Sequence, residues 1–405
     1  MSRAGAVVCV LAAGVASSAA CAADWDALPF GSFGGYYESN YGLSPINNQE
    51  LQVNGAIASG GVAFRRASPT GSIMLRPYLR STYFPGDTDS DYNNGYVELD
   101  AKHDGQRADY GMYGELNHET VTSRALPTTP HGDLGNPLDG DINTAGTRSR
   151  RDLIGLYPTA AFDLTQRNRI ELAGNFTDIS YNKKLPGEEL GYSFMRGSAG
   201  WVINTTQLSS VTLALSAEKF NPEDAPGFTP SVGSTSYGLT ARWTKTLSLK
   251  QRWYIQGGAT KTQFDDVVGV PTTGSKTGYI GGVGASWERQ TSNLFFDVVH
   301  RVQPSSSGSV SEQTDVRLLL KKFISSRFST TFGLRAVRSD AVNANAATDS
   351  REYATATAGV EWRWSRKLSL TGDLAFIHQK LENQPGAADS RIITFSVAYD
   401  AGRPN

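Results

Sequence analysis

The chain has 405 residues, with 38 basic and 39 acidic side chains and a formal net charge of −1. That balance gives no reason to expect nucleic acid or an anionic surface as partner, and 19% charged with 10% aromatic residues excludes a disordered chain. Beyond the first segment no stretch approaches the ~20 apolar residues of a membrane helix. A membrane β-barrel is not excluded, because half of each strand must be polar and the mean hydropathy of −0.34 hides the apolar half.

The chain opens on one positive charge, Arg3, followed by an apolar run from Ala6 to Val15 and the small-x-small pattern Ala20-Cys21-Ala22. This pattern predicts a cleaved signal peptide over 1–22, ahead of a barrel over 23–405. A lipoprotein anchored at Cys21 is the rival reading; it calls for a large aliphatic residue where Ser18 stands. Cys9 and Cys21 would both leave with the signal, so neither disulfides nor thiol chemistry are expected.

From about residue 32 onward, alternation with period two dominates. Tyr237, Leu239, Ala241 and Trp243 share one face against Gly238, Thr240 and Arg242. The same holds for Val316, Leu318 and Leu320 against Arg317 and Lys321, and for Ile393, Phe395, Val397 and Tyr399 against Thr394 and Ser396. Connections alternate between short polar turns, such as Ser68 to Gly71 and Ser325 to Arg327, and longer loops rich in Gly, Pro, Asn and Asp. Counting them predicts about 18 strands, within 16–20. The expected fold is therefore all-β: a single transmembrane antiparallel barrel with short periplasmic turns and long extracellular loops. Trp201, Trp243, Trp253, Trp287, Trp362 and Trp364 fall near the short turns. Tyr83, Tyr96, Tyr192, Tyr237, Tyr279 and Tyr353 fall at the opposite rim, which predicts two interfacial aromatic belts.

The opening Tyr36-Tyr37-Glu38-Ser39-Asn40 and the segment from Phe64-Arg65-Arg66 through Leu75-Arg76-Pro77-Tyr78-Leu79 resemble the first three strands of the type 2 β-barrel porin family. The resemblance implies an outer-membrane channel that accompanies exopolysaccharide export, with a periplasmic polysaccharide-export machine as partner beside outer-membrane lipid and lipopolysaccharide. One departure is the C-terminus, where Tyr399 is followed by Asp-Ala-Gly-Arg-Pro-Asn instead of ending the chain on an aromatic residue. The assembly signal is then expected within Phe395-x-Val397-x-Tyr399.

In a barrel of this size inward side chains set selectivity. Alternation points Arg76, Arg80, Arg317, Lys321 and Arg335 inward, and likewise Glu98, Asp100, Asp109 and Glu115. Acids gather on the fourth and fifth strands and bases on the fourteenth and fifteenth. Two readings stay open: a transverse field that orients dipolar solutes, or cross-strand salt bridges that solvate the lumen. Inward Tyr78, Tyr113 and Tyr254 offer faces on which sugar rings can stack or which simply pack. The longest loop, 121–149, carries Asp133, Asp139 and Asp141 and is a candidate constriction.

Other motifs fall short of a site. Asp87, Asp89, Asp91 and Glu98 have calcium-loop spacing, but Tyr92 occupies the position that needs glycine. Gly278, Gly281, Gly282 and Gly284 lack the lysine and helix start of a phosphate loop. His103, His118, His131, His300 and His378 show no ligand spacing, so no metal or other cofactor is expected. The function expected is passive passage of solute or exported polysaccharide, and no enzyme. Two alternatives remain: a plugged structural or adhesive barrel whose loops bind a partner, and an outer-membrane hydrolase using His300 or His378 with serines such as Ser305 to Ser307.

Overall fold

β-branched and aromatic residues alternating with polar ones suit a pleated surface with one face in an apolar medium. In the computed structural model they form 18 strands. The structure describes residues 25–41, 43, 51–85, 91–120, 150–182, 190–224, 232–248, 250–265, 274–304, 310–341, 350–382 and 386–402. The expected signal peptide and the loop 121–149 lie outside the described residues.

The first six strands are β1 (Asp26–Glu38), β2 (Val53–Ser68), β3 (Gly71–Tyr83), β4 (Tyr92–Asp104), β5 (Ala108–Thr120) and β6 (Arg150–Asp163). Next come β7 (Asn168–Tyr181), β8 (Tyr192–Thr206), β9 (Ser209–Pro222), β10 (Ser234–Ser248), β11 (Gln251–Phe264) and β12 (Ser275–Arg289). The last six are β13 (Ser292–Pro304), β14 (Val310–Phe323), β15 (Phe328–Ala341), β16 (Arg351–Arg363), β17 (Leu368–Leu381) and β18 (Ala387–Asp400). Each strand pairs antiparallel with its chain neighbours, and β1 also pairs with β18. The 18-stranded sheet is therefore closed and has no open edge. Strands of 13 to 16 residues exceed the ~10 that cross a bilayer, so each extends into the rims.

Closure decides what each face meets. On β15 Phe332 and Leu334 are exposed while Gly333 and Arg335, between and after them, are buried. Leu215 is 64%, Leu79 68% and Tyr279 73% exposed, all on the same outward face. A continuous apolar surface of this extent belongs in hydrocarbon. Near the short turns Trp201, Trp243, Trp362 and Trp364 are exposed, with Trp243 edge-on to Trp253 at 4.7 Å and Trp362 stacked on Trp364 at 6.1 Å.

The opposite rim differs from expectation in part. Tyr83, Tyr237 and Tyr279 are exposed on the outward face, but Tyr96, Tyr192 and Tyr353 share the face of Glu98, Arg196 and Thr355 and point inward. The physical reason is apolar packing inside the loop end of the barrel. Tyr192 joins Leu153, Ile179, Phe194, Phe220, Phe264 and Val310 in one buried cluster. Tyr353 joins Val337, Ile377 and Ile392 in another, into which Leu43 inserts from the first loop.

The Tyr-Glu-Ser-Asn opening lies at the β1–β18 seam. Glu38 is fully buried and accepts hydrogen bonds from Tyr36 Oη and Ser390 Oγ. Ser39 N donates to Arg391 O at 3.0 Å, and Arg391 N donates to Ser39 Oγ at 2.9 Å. Asn40 O then accepts from Leu43 N, starting the turn that delivers Leu43 to its cluster. Further down the seam, a Cβ on Gly34 would stand 2.1 Å from Phe395 O and 2.7 Å from Ser396 Cβ, so glycine is required for the strands to meet.

Candidate functional site: two charged walls of the lumen

Strand parity sets Arg76, Arg80, Glu98, Asp100, Asp109, Glu115, Arg317, Lys321 and Arg335 on the inner face. They form two walls of different character. The first spans β3 to β7. Arg76 lies in register with Glu98, and Glu98 with Glu115, so one cation and two carboxylates share a row across three strands. Arg76 Nη1 is 3.6 Å from Glu98 Oε2, and its guanidinium lies over the rings of Phe30 at 4.2 Å and Tyr78 at 5.5 Å. Tyr78 Oη donates to Glu98 Oε1 at 3.2 Å. Glu115 accepts from Tyr157 Oη at 3.0 Å and from Asn117 Nδ2 at 3.0 Å.

Rings surround this row. Tyr78 stacks on Tyr96 with centroids 4.6 Å apart, and Tyr113 packs on Tyr157 at 5.7 Å. Lower on the same wall Asp100 faces Lys102 at 3.6 Å, and Asp109 accepts from Arg169 Nη2 at 2.6 Å. Arg80 stands further along β3, opposite Ser59 and Asn94. Arg76, Glu98, Asp100 and Asp109 all keep a quarter or more of their side-chain surface exposed, so this wall is wet.

The second wall spans β13 to β16. Arg317 and Arg335 stand directly opposite each other, a like-charge pair that two aspartates neutralise. Arg317 makes a bidentate contact to Asp297, both distances 2.9 Å, and Arg335 one to Asp315 at 3.1 and 2.7 Å. Asp315 also lies 3.8 Å from Arg317, which closes a ladder of alternating sign. Side-chain exposure along the ladder is 0–8%, against 26% and 41% for Glu98 and Arg76. Bidentate geometry offsets the cost of burying these charges. Lys321, nearer the short turns, lies 4.0 Å from Glu361 and remains partly exposed.

The basic side of the anticipated transverse field is thus largely neutralised in place. Salt bridging accounts for Arg317 and Arg335, while the acidic side stays accessible. Asp315 and Tyr157 belong to the two walls without having been singled out from sequence, and so does Glu119, which accepts from Tyr96 Oη at 3.1 Å. Period two places Asp315 on the face of Arg317, but its partnership with Arg335 depends on the stagger between β14 and β15.

Asp133, Asp139 and Asp141 lie outside the described residues, as do Asp87 and Asp89 of the calcium-like spacing. Asp91 accepts a hydrogen bond from Phe84 N. Among the described residues no group of three or more His, Cys, Asp or Glu side chains is arranged to hold a metal. His300 contacts Thr314 at 3.0 Å and His378 contacts Asp389 at 2.7 Å, while Ser305 to Ser307 lie outside the described residues.

No protein-family model matches the sequence, and comparison with curated proteins gives no match. Among solved structures, the chain is similar to OccAB2 of Acinetobacter baumannii, with a TM-score of 0.46 and 8% identity over 93% of this chain and 98% of that one. OccK2 (OpdF) of Pseudomonas aeruginosa gives a TM-score of 0.46 and 9% identity over the same shares, and has also been solved in complex with glucuronate.

Proposed function

We propose that the chain is a porin-like channel of a Gram-negative outer membrane, passing solute passively through the barrel without making or breaking bonds. One observation carries this reading: a closed ring whose outward face is apolar and whose inner face holds a wet, charged wall over β3–β7. Such a cross-section suits lipid outside and water inside. The surrounding lipid, including lipopolysaccharide, is the partner that this outer face fits. The sequence resemblance adds exported polysaccharide, delivered by a periplasmic export machine, as a candidate cargo. We assign constriction of the pathway to the loop 121–149 through Asp133, Asp139 and Asp141.

Single-channel conductance of the purified protein in a planar bilayer tests the reading. Steady steps that grow on deletion of residues 128–143 support an open channel narrowed by that loop, and oligosaccharide block then tests polysaccharide as cargo. A second reading is favoured by the apolar clusters inside the loop end, with Leu43 inserted among β15–β18 residues. On that reading the barrel is closed and its loops bind a partner, and folded protein gives no steps.

A further inference from the structure

The two walls meet the same electrostatic problem and solve it differently. Like charges directly opposite on neighbouring strands repel. On β14–β15 the pair Arg317 and Arg335 is compensated by Asp297 and Asp315 and withdrawn from water. On β4–β5 the pair is Glu98 and Glu115, in register, with Arg76 in register beside Glu98. Here the row is left accessible and is framed by aromatic rings on four consecutive strands: Tyr78, Tyr96, Tyr113 and Tyr157. The backbone makes room for this arrangement, because a Cβ on Gly155 would stand 2.9 Å from both Glu115 Cγ and the Tyr157 ring.

Resting on the channel reading, we propose that this row is a solute subsite for an organic cation that presents a guanidinium or primary ammonium head. The cationic head would lie between the Glu98 and Glu115 carboxylates and the attached carbons against the Tyr78–Tyr96 and Tyr113–Tyr157 rings. Three features select this class. A second cation in the row relieves the repulsion between the carboxylates, which neutral hydroxyls do not do. Tyrosine faces attract a cation within ~6 Å of their centroids, as Arg76 already shows over Phe30 and Tyr78. A pair of carboxylates suits an organic cation better than a metal, in keeping with the lack of any group of three or more His, Cys, Asp or Glu arranged for a metal among the described residues. An anionic solute would meet repulsion at this level of the wall.

The test uses agmatine as probe and glucose as the neutral comparison, with the full barrel folded in detergent and then in planar bilayers. Calorimetry should show agmatine binding, weakened at least tenfold in Glu115→Gln and in Tyr113→Leu and unchanged in Glu352→Gln, an exposed residue of β16. In bilayers a salt gradient should give a cation-preferring reversal potential, and agmatine should block wild type more strongly than Glu115→Gln. Variants are compared only where heat-modifiable mobility shows that they have folded. Absence of agmatine binding, binding equal in wild type and Glu115→Gln, or binding of glucose in its place would overturn the subsite. Agmatine binding in a barrel that never conducts would instead overturn the channel reading and leave the subsite standing.

Discussion

In the ladder Asp297–Arg317–Asp315–Arg335 single residues bear on stability through their burial. Removing one member of a buried ion pair leaves its partner's charge stranded in a poor solvent, at a cost of about 3–5 kcal/mol. Asp315→Asn should therefore lower the denaturant midpoint of the folded barrel clearly. Arg338→Ala should shift it by no more than about 0.5 kcal/mol, because Arg338 is 62% exposed and meets Asp340 and Glu352 in water. Equal effects of the two changes in one denaturant series would contradict the burial of the ladder. Individual charges were legible in the sequence only as far as the face they occupy. Alternation puts Arg317 and Arg335 on one side of their strands, but the Asp315 contact comes from the offset between neighbouring strands. That offset is set by the turn at 324–327 and by closure of the whole ring.

At the level of strands, alternation predicts sharp contrasts between adjacent residues. Arg in place of Phe332 or Leu318 faces hydrocarbon and should cost roughly 2–4 kcal/mol at mid-membrane depth, whereas Thr331→Arg should be tolerated on the inner face. The yield of heat-modifiable protein reads the difference, and equal tolerance at all three positions would reverse the assignment of faces. Gly34→Val should impair assembly for a different reason, since its side chain would collide with the backbone of β18. A normal yield of folded Gly34→Val barrel would show that the β1–β18 seam is looser than described. Strand number and turn order were legible because polar turns and apolar alternation are local signals. The tyrosine rim was legible only in part, because Tyr83, Tyr237 and Tyr279 face outward while aromatic character alone misassigns Tyr96, Tyr192 and Tyr353. Tyr353 shares parity with Arg363, and Trp362 has the opposite parity, so the two rings belong on opposite faces. The apolar interior of the loop end left no local signal, because its members come from ten different strands and from Leu43.

At the scale of the whole molecule, closure converts a chain with a net charge of −1 and unremarkable hydropathy into two surfaces of opposite character. The accessible acidic and aromatic wall on one side and the buried ion-pair ladder on the other make the lumen asymmetric. The deletion in the bilayer experiment above tests the loop that carries Asp133, Asp139 and Asp141. Cys9 and Cys21 are the only cysteines and both precede the described strands, so the barrel itself offers a clean background for single-cysteine replacement. The most direct measurement is conductance before and after a charged, membrane-impermeant thiol reagent is applied to single cysteines at alternating positions of β5. The channel account predicts that modification at Asp109 and Tyr113, which face inward, changes the current, while modification at Met112 and Leu116, which face outward, leaves it unchanged. Current that ignores modification at every inward position, or responds equally on both faces, would contradict a solute pathway through this lumen.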